Sequence, residues 1–254
     1  MHIVFFDIDG TLADRTFVPP SAAAAIERLR ANGDQVFICT GRARAYAEKN
    51  FGAYADGFVC CNGRLAFRGQ EHLYEATLSG EQVAGIVERL DEVGAGYCFF
   101  EEWSAHYGGD PAYRHIAEEV LGLSALEDGV DPHTIRAFNF DVYFADAEQR
   151  SRIAQALADT CLLNPHGPHP SADMTVLGVD KGDAVRNVAA ALGVAIEDTY
   201  AFGDGINDLC MLQAAGHGVA MGNAMDEVKA AAEFVTTDLM DDGVANGLAH
   251  YGLA

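Results

Sequence analysis

Short apolar runs alternate along the first part of the chain with stretches whose apolar residues recur every three to four positions. That pattern predicts a strand over 2–6, a helix over 21–32, a strand over 35–39 and a helix over 43–51, the βαβ order of a parallel sheet. A further short strand is expected over 57–61, and two runs at 64–68 and 72–75, turning around Gly69, read as a hairpin. Ser79, with Gln82 three residues later, has the spacing of a capping box and opens another helix.

Beyond that point the pattern changes. Paired strands are expected over 97–101 and 104–107, a helix over 111–121, a long alternating strand over 136–144, a helix over 148–158, and strands over 161–163 and 174–177. The β/α rhythm then returns, with a helix over 181–192, a strand over 199–202, a helix from Asn207, a strand over 218–220, a helix from Asp226 and a strand over 234–236. The chain therefore reads as an α/β core built from 1–77 and 177–254, interrupted by an inserted α+β domain over 78–176. No internal repeat or low-complexity tract is visible.

Composition narrows the function. The 254 residues are half hydrophobic, enough for a substantial core, and 38 acidic against 16 basic side chains give a formal charge of -22. Such a surface opposes nucleic acid and anionic membranes, so neither is an expected partner. It also repels small phosphate esters, so a phosphate site would need local donors and a cation. No secretory leader or membrane-spanning apolar stretch is expected. Six scattered cysteines without Cys-x-x-Cys spacing suit reduced thiols, and a cytoplasmic location is the expectation.

The candidate chemistry lies where strands end. Asp7 and Asp9, in Phe6-Asp7-Ile8-Asp9-Gly10-Thr11, leave the carboxyl end of the first strand, where α/β sheets place ligands. Two carboxylates about 4 Å apart repel by roughly 4 kcal/mol at an effective dielectric near 20, which a hard cation such as Mg²⁺ relieves. The same residues also suit an Asx-type turn. Thr40, Gly41 and Arg42 follow the second strand, where a hydroxyl and backbone amides suit phosphate oxygens or an ordinary capped turn. Lys181 opens a helix, an unfavourable end for a cation, and so asks for an anionic partner. The run Gly203-Asp204-Gly205-Ile206-Asn207-Asp208 is the most specific, because a turn does not need two acids, two glycines and an amide together. His166 and His169 sit in a Pro-containing connection with no acids at a fitting offset and read as loop residues.

These four runs, in this order and with the insert between the second and third, resemble the haloacid dehalogenase-like phosphohydrolases, specifically Cof-type phosphatases with a type-2 cap. Asn62-Gly63 and Val219-Ala220-Met221-Gly222-Asn223-Ala224 are similar to stretches of the same group. The resemblance implies a doubly wound, mostly parallel sheet with the first strand central. It makes Asp7 the nucleophile, forming an aspartyl phosphate, and Asp9 the acid and base. Mg²⁺ would be held by Asp7, the Asp9 carbonyl and Asp204, with Asp208 as a water-bridged or outer ligand. Thr40, Gly41, Lys181 and Asn207 would bind phosphate. The implied substrate is a small phosphorylated metabolite, sugar phosphates before cofactors such as pyridoxal phosphate, acted on by a monomer or weak homo-oligomer. Trp103, His106, Arg114, Arg136 and Asp173 are polar cap candidates for selectivity. A phosphomannomutase-like transferase and a non-catalytic metal- and phosphate-binding regulator are the alternatives.

Overall fold

All four residues of the first strand, β1 (Ile3–Phe6), are fully buried, so both faces of the sheet at this point are covered. The computed structural model describes residues 1–121 and 126–253. From β1 the chain runs through α1 (Pro20–Ala31), β2 (Gln35–Cys39), α2 (Arg44–Phe51), β3 (Gly57–Cys60), β4 (Leu65–Arg68) and β5 (Glu71–Glu75). It continues through α3 (Gly80–Glu92), β6 (Gly96–Phe100), β7 (Ala105–Gly109), α4 (Arg114–Leu121), β8 (Glu127–Asp128), β9 (Asn139–Tyr143), α5 (Ala147–Ala156), β10 (Cys161–Pro165) and β11 (Ser171–Val176). The last part comprises α6 (Lys181–Leu192), β12 (Thr199–Gly203), α7 (Leu209–Ala214), β13 (His217–Ala220), α8 (Asp226–Ala231), β14 (Phe234–Val235) and α9 (Gly243–His250).

Two units emerge, Met1–Glu75 with Val179–Ala254, and Ala76–Gly178. In the first, the strands among the described residues follow the order β14-β13-β12-β1-β2-β3-β4-β5. Pairing is parallel from β14 to β3 and antiparallel across β3, β4 and β5. Helix α1 packs with α9 and α6 with α7, forming helical layers around a core that includes Phe5, Phe6, Phe37 and Phe202. Each such side chain contributes about 1.5–3 kcal/mol on full burial. The result is a doubly wound, mostly parallel α/β sheet with β1 central.

The second unit has the strand order β10-β11-β9-β6-β7-β8, antiparallel except where β8 joins β7. Phe99, Phe140 and Val142 pack with Val83, Ile86 and Leu90 of α3 and Ile153 of α5. The alternate residues of the same strands, Cys98, Phe100 and Tyr143, join Tyr107 and Ala117 in a second cluster.

Most predicted elements form, with instructive differences. The strand expected over 136–144 begins at Asn139, because the Arg136 N–H bonds the Glu101 carboxylate at 2.7 Å and the Ala137 carbonyl accepts from Leu78. The helix expected from Pro111 starts with a 3₁₀ turn capped by Asp110, and regular α-helix begins at Arg114. The C-terminal helix α9 and the two-residue strand β8 were not expected. Ser79 and Gln82 do form the capping box on α3. All six cysteines are free, and no helix among the described residues is long and apolar enough to cross a membrane.

Candidate active site

Strand register brings distant residues to one edge. Phe6 pairs with Ile38 of β2 and Phe202 of β12, and the Asp7 N–H extends the ladder to the Phe202 carbonyl at 3.0 Å. Asp7, Thr40 and Asp204 thus follow three adjacent strands at their carboxyl ends. Beyond Asp7 the chain folds back sharply, with the Thr11, Leu12 and Ala13 N–H groups all directed at the Ile8 carbonyl. Gly10 carries this turn at φ +89°, and a Cβ there would lie 2.3 Å from the Asp204 carboxylate. Only glycine tolerates both conditions. Next to it, the Thr11 hydroxyl donates to Asp204 Oδ1 at 3.0 Å.

Lys181 occupies the centre. Its side chain is 1 % exposed, and Nζ donates to Asp7 Oδ1 at 2.6 Å and to Asp208 Oδ1 at 2.7 Å. The anionic partner that its place in the sequence calls for is therefore supplied by the protein. Asp180 and Asp183 cap α6 reciprocally, which stabilises the helix end despite the lysine. Burial alone would lower the Lys181 ammonium, but Asp208 and Asp7 hold it well above its usual range. Asp208 spends its other oxygen on the Asp204 and Gly205 N–H groups, each at 3.0 Å. Those bonds make a 3₁₀ turn over Ile206–Asp208, so the helix predicted from Asn207 starts at Leu209.

Crowding shows in the acids. Burial, then the Asp208 carboxylate, push Asp7 up to about 7 against the pull of Lys181. Burial and Asp208 likewise push Asp204 up to about 6, with the Thr11 hydrogen bond opposing. Asp7, Asp204 and Asp208 each offer a carboxylate oxygen, and these atoms lie within 4.8 Å of one another. Three hard oxygen donors against one ammonium leave an uncompensated negative centre, the donor chemistry that Mg²⁺ takes. These residues fit a divalent cation.

The other predicted residues stand outside this set of three carboxylates and the Lys181 ammonium. Thr40 is 2 % exposed, and its hydroxyl oxygen accepts the Arg42 N–H at 3.2 Å, leaving its own proton to donate elsewhere. Gly41 faces the Asn62 amide so closely that a Cβ would sit 3.0 Å from Oδ1. Asp9 is set apart, since its half-exposed carboxylate pairs with Arg42 at 3.3 Å instead of joining the buried acids. Asn207 is exposed, with its side-chain oxygen against the Gly205 backbone. Burial raises the Cys39 and Cys60 thiols above their usual range, which makes them poor nucleophiles at neutral pH.

Within the inserted unit, several polar candidates are tied into local networks. Arg114 pairs with Glu118 and Asp128 and donates to the Leu126 carbonyl. Asp173 accepts from Asn139 at 2.6 Å and from Asn164 at 3.3 Å, and His106 meets Ser104 and Glu101. Trp103 is 63 % exposed. Sequence reasoning passed over Thr11 and gave Arg42 no role toward Asp9. The visible signal for the first was a hydroxyl two residues after Asp9, and for the second a cation following the Thr40-Gly41 turn.

Comparison with known proteins places the chain in a family. The family model described as haloacid dehalogenase-like hydrolase matches residues 4–248. The chain is 34 % identical, over 100 % of its length and 96 % of the relative's, to the 5-amino-6-(5-phospho-D-ribitylamino)uracil phosphatase YcsE of Bacillus subtilis. It is 28 % identical to the pyridoxal phosphate phosphatase YbhA of Escherichia coli, with 96 % of each chain covered. Its structure superposes on the subclass IIB sugar phosphatase BT4131 with a TM-score of 0.81 at 28 % identity, covering 100 % of both chains. The chain accordingly belongs to the haloacid dehalogenase-like hydrolases and is a phosphoric monoester hydrolase.

Proposed function

We propose that this enzyme is a Mg²⁺-dependent phosphatase of small phosphorylated metabolites, sugar phosphates foremost, working through an aspartyl phosphate on Asp7. The observation that carries this reading is the buried set of Asp7, Lys181 and Asp208 with Asp204 alongside, its carboxylate oxygens within 4.8 Å of one another. Asp7, Asp204 and the Asp9 carbonyl would hold the cation, with Asp208 as an outer anchor. A bound Mg²⁺ would neutralise charge on the acids and on the phosphoryl oxygens, lowering their mutual repulsion.

The chain's own groups account for the remaining steps. Lys181 holds the Asp7 carboxylate in one orientation, so its free oxygen attacks phosphorus while the ester P–O bond breaks. Asp9 gives its proton to the departing alkoxide and then takes one from the water that hydrolyses the acyl phosphate. The exposure of the Asp9 carboxyl suits a group that exchanges protons with substrate and water. The Thr40 hydroxyl, the Gly41 amide, Lys181 and Asn207 serve as donors to the equatorial phosphoryl oxygens, where charge resides in the transition state. The similar proteins, which include a sugar phosphatase and a pyridoxal phosphate phosphatase, support small phosphorylated metabolites as the substrate class.

A panel of sugar phosphates, pyridoxal phosphate and p-nitrophenyl phosphate, assayed with Mg²⁺ and with EDTA, tests the proposal. Turnover should vanish in EDTA, return with Mg²⁺, and fall by about a thousandfold or more in Asp7→Asn. Activity persisting in that variant would exclude the covalent route.

A further inference from the structure

Asn223 joins three loops of the first unit through both ends of one amide. Its Nδ2 donates to the Gly10 carbonyl at 2.8 Å, and its Oδ1 accepts from the Leu239 N–H at 2.8 Å. An amide in this orientation satisfies a carbonyl with its nitrogen and an N–H with its oxygen. The turn that carries it is itself tied to the ends of the neighbouring strands. Met221 N–H bonds the Gly203 carbonyl at 3.0 Å, Gly222 N–H the Thr237 carbonyl at 2.9 Å, and Met225 N–H the Asp204 carbonyl at 3.2 Å.

The far side of the Gly10 peptide is the acidic cluster. Gly10 is so close to Asp204 that a Cβ would collide with the carboxylate, and the adjacent Thr11 hydroxyl donates to the same group. A displacement of the Gly10 peptide therefore moves Asp204 or its hydrogen-bond donor. The loop after Asp7 has its own turn bonds, but among the described residues only the Asn223 amide hydrogen-bonds the outer side of Gly10 to the 237–241 segment.

We propose that Asn223 is a positioning residue: by holding the Gly10 peptide against Asp204 it sets the place of that carboxylate for the divalent cation and for phosphoryl transfer. The inference rests on the Mg²⁺-dependent phosphatase reading, yet cation binding can test it independently of turnover. Asn223 is exposed, so its replacement removes the two bonds without opening a buried cavity.

The test compares wild type with Asn223→Ala, Asn223→Asp and the control Asn246→Ala, whose amide bonds Thr237 and Asp241 but does not reach Gly10. Asn223→Asp keeps the shape and the acceptor for Leu239 but faces a carboxylate toward the Gly10 carbonyl. Mg²⁺ affinity is read by calorimetry, kcat and KM with p-nitrophenyl phosphate, and thermal stability on the metal-free protein. Both Asn223 variants should bind Mg²⁺ about tenfold more weakly and lose kcat more than KM, while Asn246→Ala leaves both unchanged. A lowered melting temperature with unchanged Mg²⁺ affinity and kcat would reduce Asn223 to a structural residue and overturn the proposal. If wild type binds Mg²⁺ without hydrolysing any ester, the phosphatase reading fails while the affinity comparison still decides the role of Asn223. If wild type binds no Mg²⁺, both fail.

Discussion

The two units bury polar groups in different ways. In the first, Asp7, Thr11, Thr40, Lys181 and Asp208 gather where parallel strands end, and three of them are opposite charges in direct contact. In the second, Asn139, Asp141 and Ser171 are buried along antiparallel strands. A parallel sheet covered on both faces has no room for charge in its middle, so its polar groups concentrate at the strand ends. An antiparallel strand such as β9 alternates instead, sending Phe140 and Val142 to one cluster and Tyr143 to the other. In the first unit burial, and after it the neighbouring Asp208 carboxylate, raise Asp7 and Asp204. Polar residues of the second are spread along its strands, as Asp173 is, accepting from Asn139 and Asn164.

The strongest challenge to that contrast is Lys181→Met. Removing the ammonium leaves Asp7 and Asp208 facing each other in a buried site. Urea unfolding at pH 7.5 should show a loss of roughly 3 kcal/mol, and turnover should fall by about a thousandfold. A stability equal to wild type would mean that the buried charges are not balanced as described.

Two glycines of positive φ sharpen it next. Gly10→Ala brings a Cβ onto the Asp204 carboxylate, whereas Gly129, at φ +84° in the second unit, has nothing within 4 Å of the new atom. The first variant should lose about a hundredfold in kcat, and the second about 1 kcal/mol of stability with Mg²⁺ affinity intact.

Protons offer a third comparison. Asp7 and Asp204 titrate at about 7 and about 6 in the folded chain, against 3.8 for an unperturbed aspartate. Between those values the folded state holds more protons than the unfolded one, so metal-free stability should rise as pH falls from about 8 toward 5. Mg²⁺ competes with the same protons, and its affinity should weaken by about tenfold or more over that interval. Thermal melts with EDTA and calorimetric titrations check the two signs, which must be opposite.

The smallest effects come from a pair of helix caps. Ser79→Ala and Asp180→Ala each remove a capping-box acceptor and should each cost about 1 kcal/mol. Only Asp180→Ala should also lower kcat, because the helix it caps begins with Lys181. Equal activity in the two would separate the lysine's position from its helix end.

Local chemistry made much of this legible in advance. The apolar runs announced β1, β2 and β12, the Ser79–Gln82 spacing announced a cap, and the acids after strands announced a charged site, because each depends on neighbours within a few residues. Elements governed by distant partners were not legible. The start of β9 was set by bonds from Leu78 and Glu101, and the 3₁₀ turn before α7 was set by the Asp208 carboxylate reaching back to Asp204 and Gly205.

By itself the sequence determined the alternation of elements, the inserted α+β stretch and the identity of the acidic and basic groups at strand ends. Only the tertiary structure decided which of those groups meet. It placed Lys181 between Asp7 and Asp208, turned Asp9 out toward Arg42, and brought Asn223 to Gly10 across 213 positions of chain. The physical reason is that hydrophobic period and capping are properties of a segment, whereas ion pairing and hydrogen bonding between loops follow from strand register, which exists only once the sheet has formed.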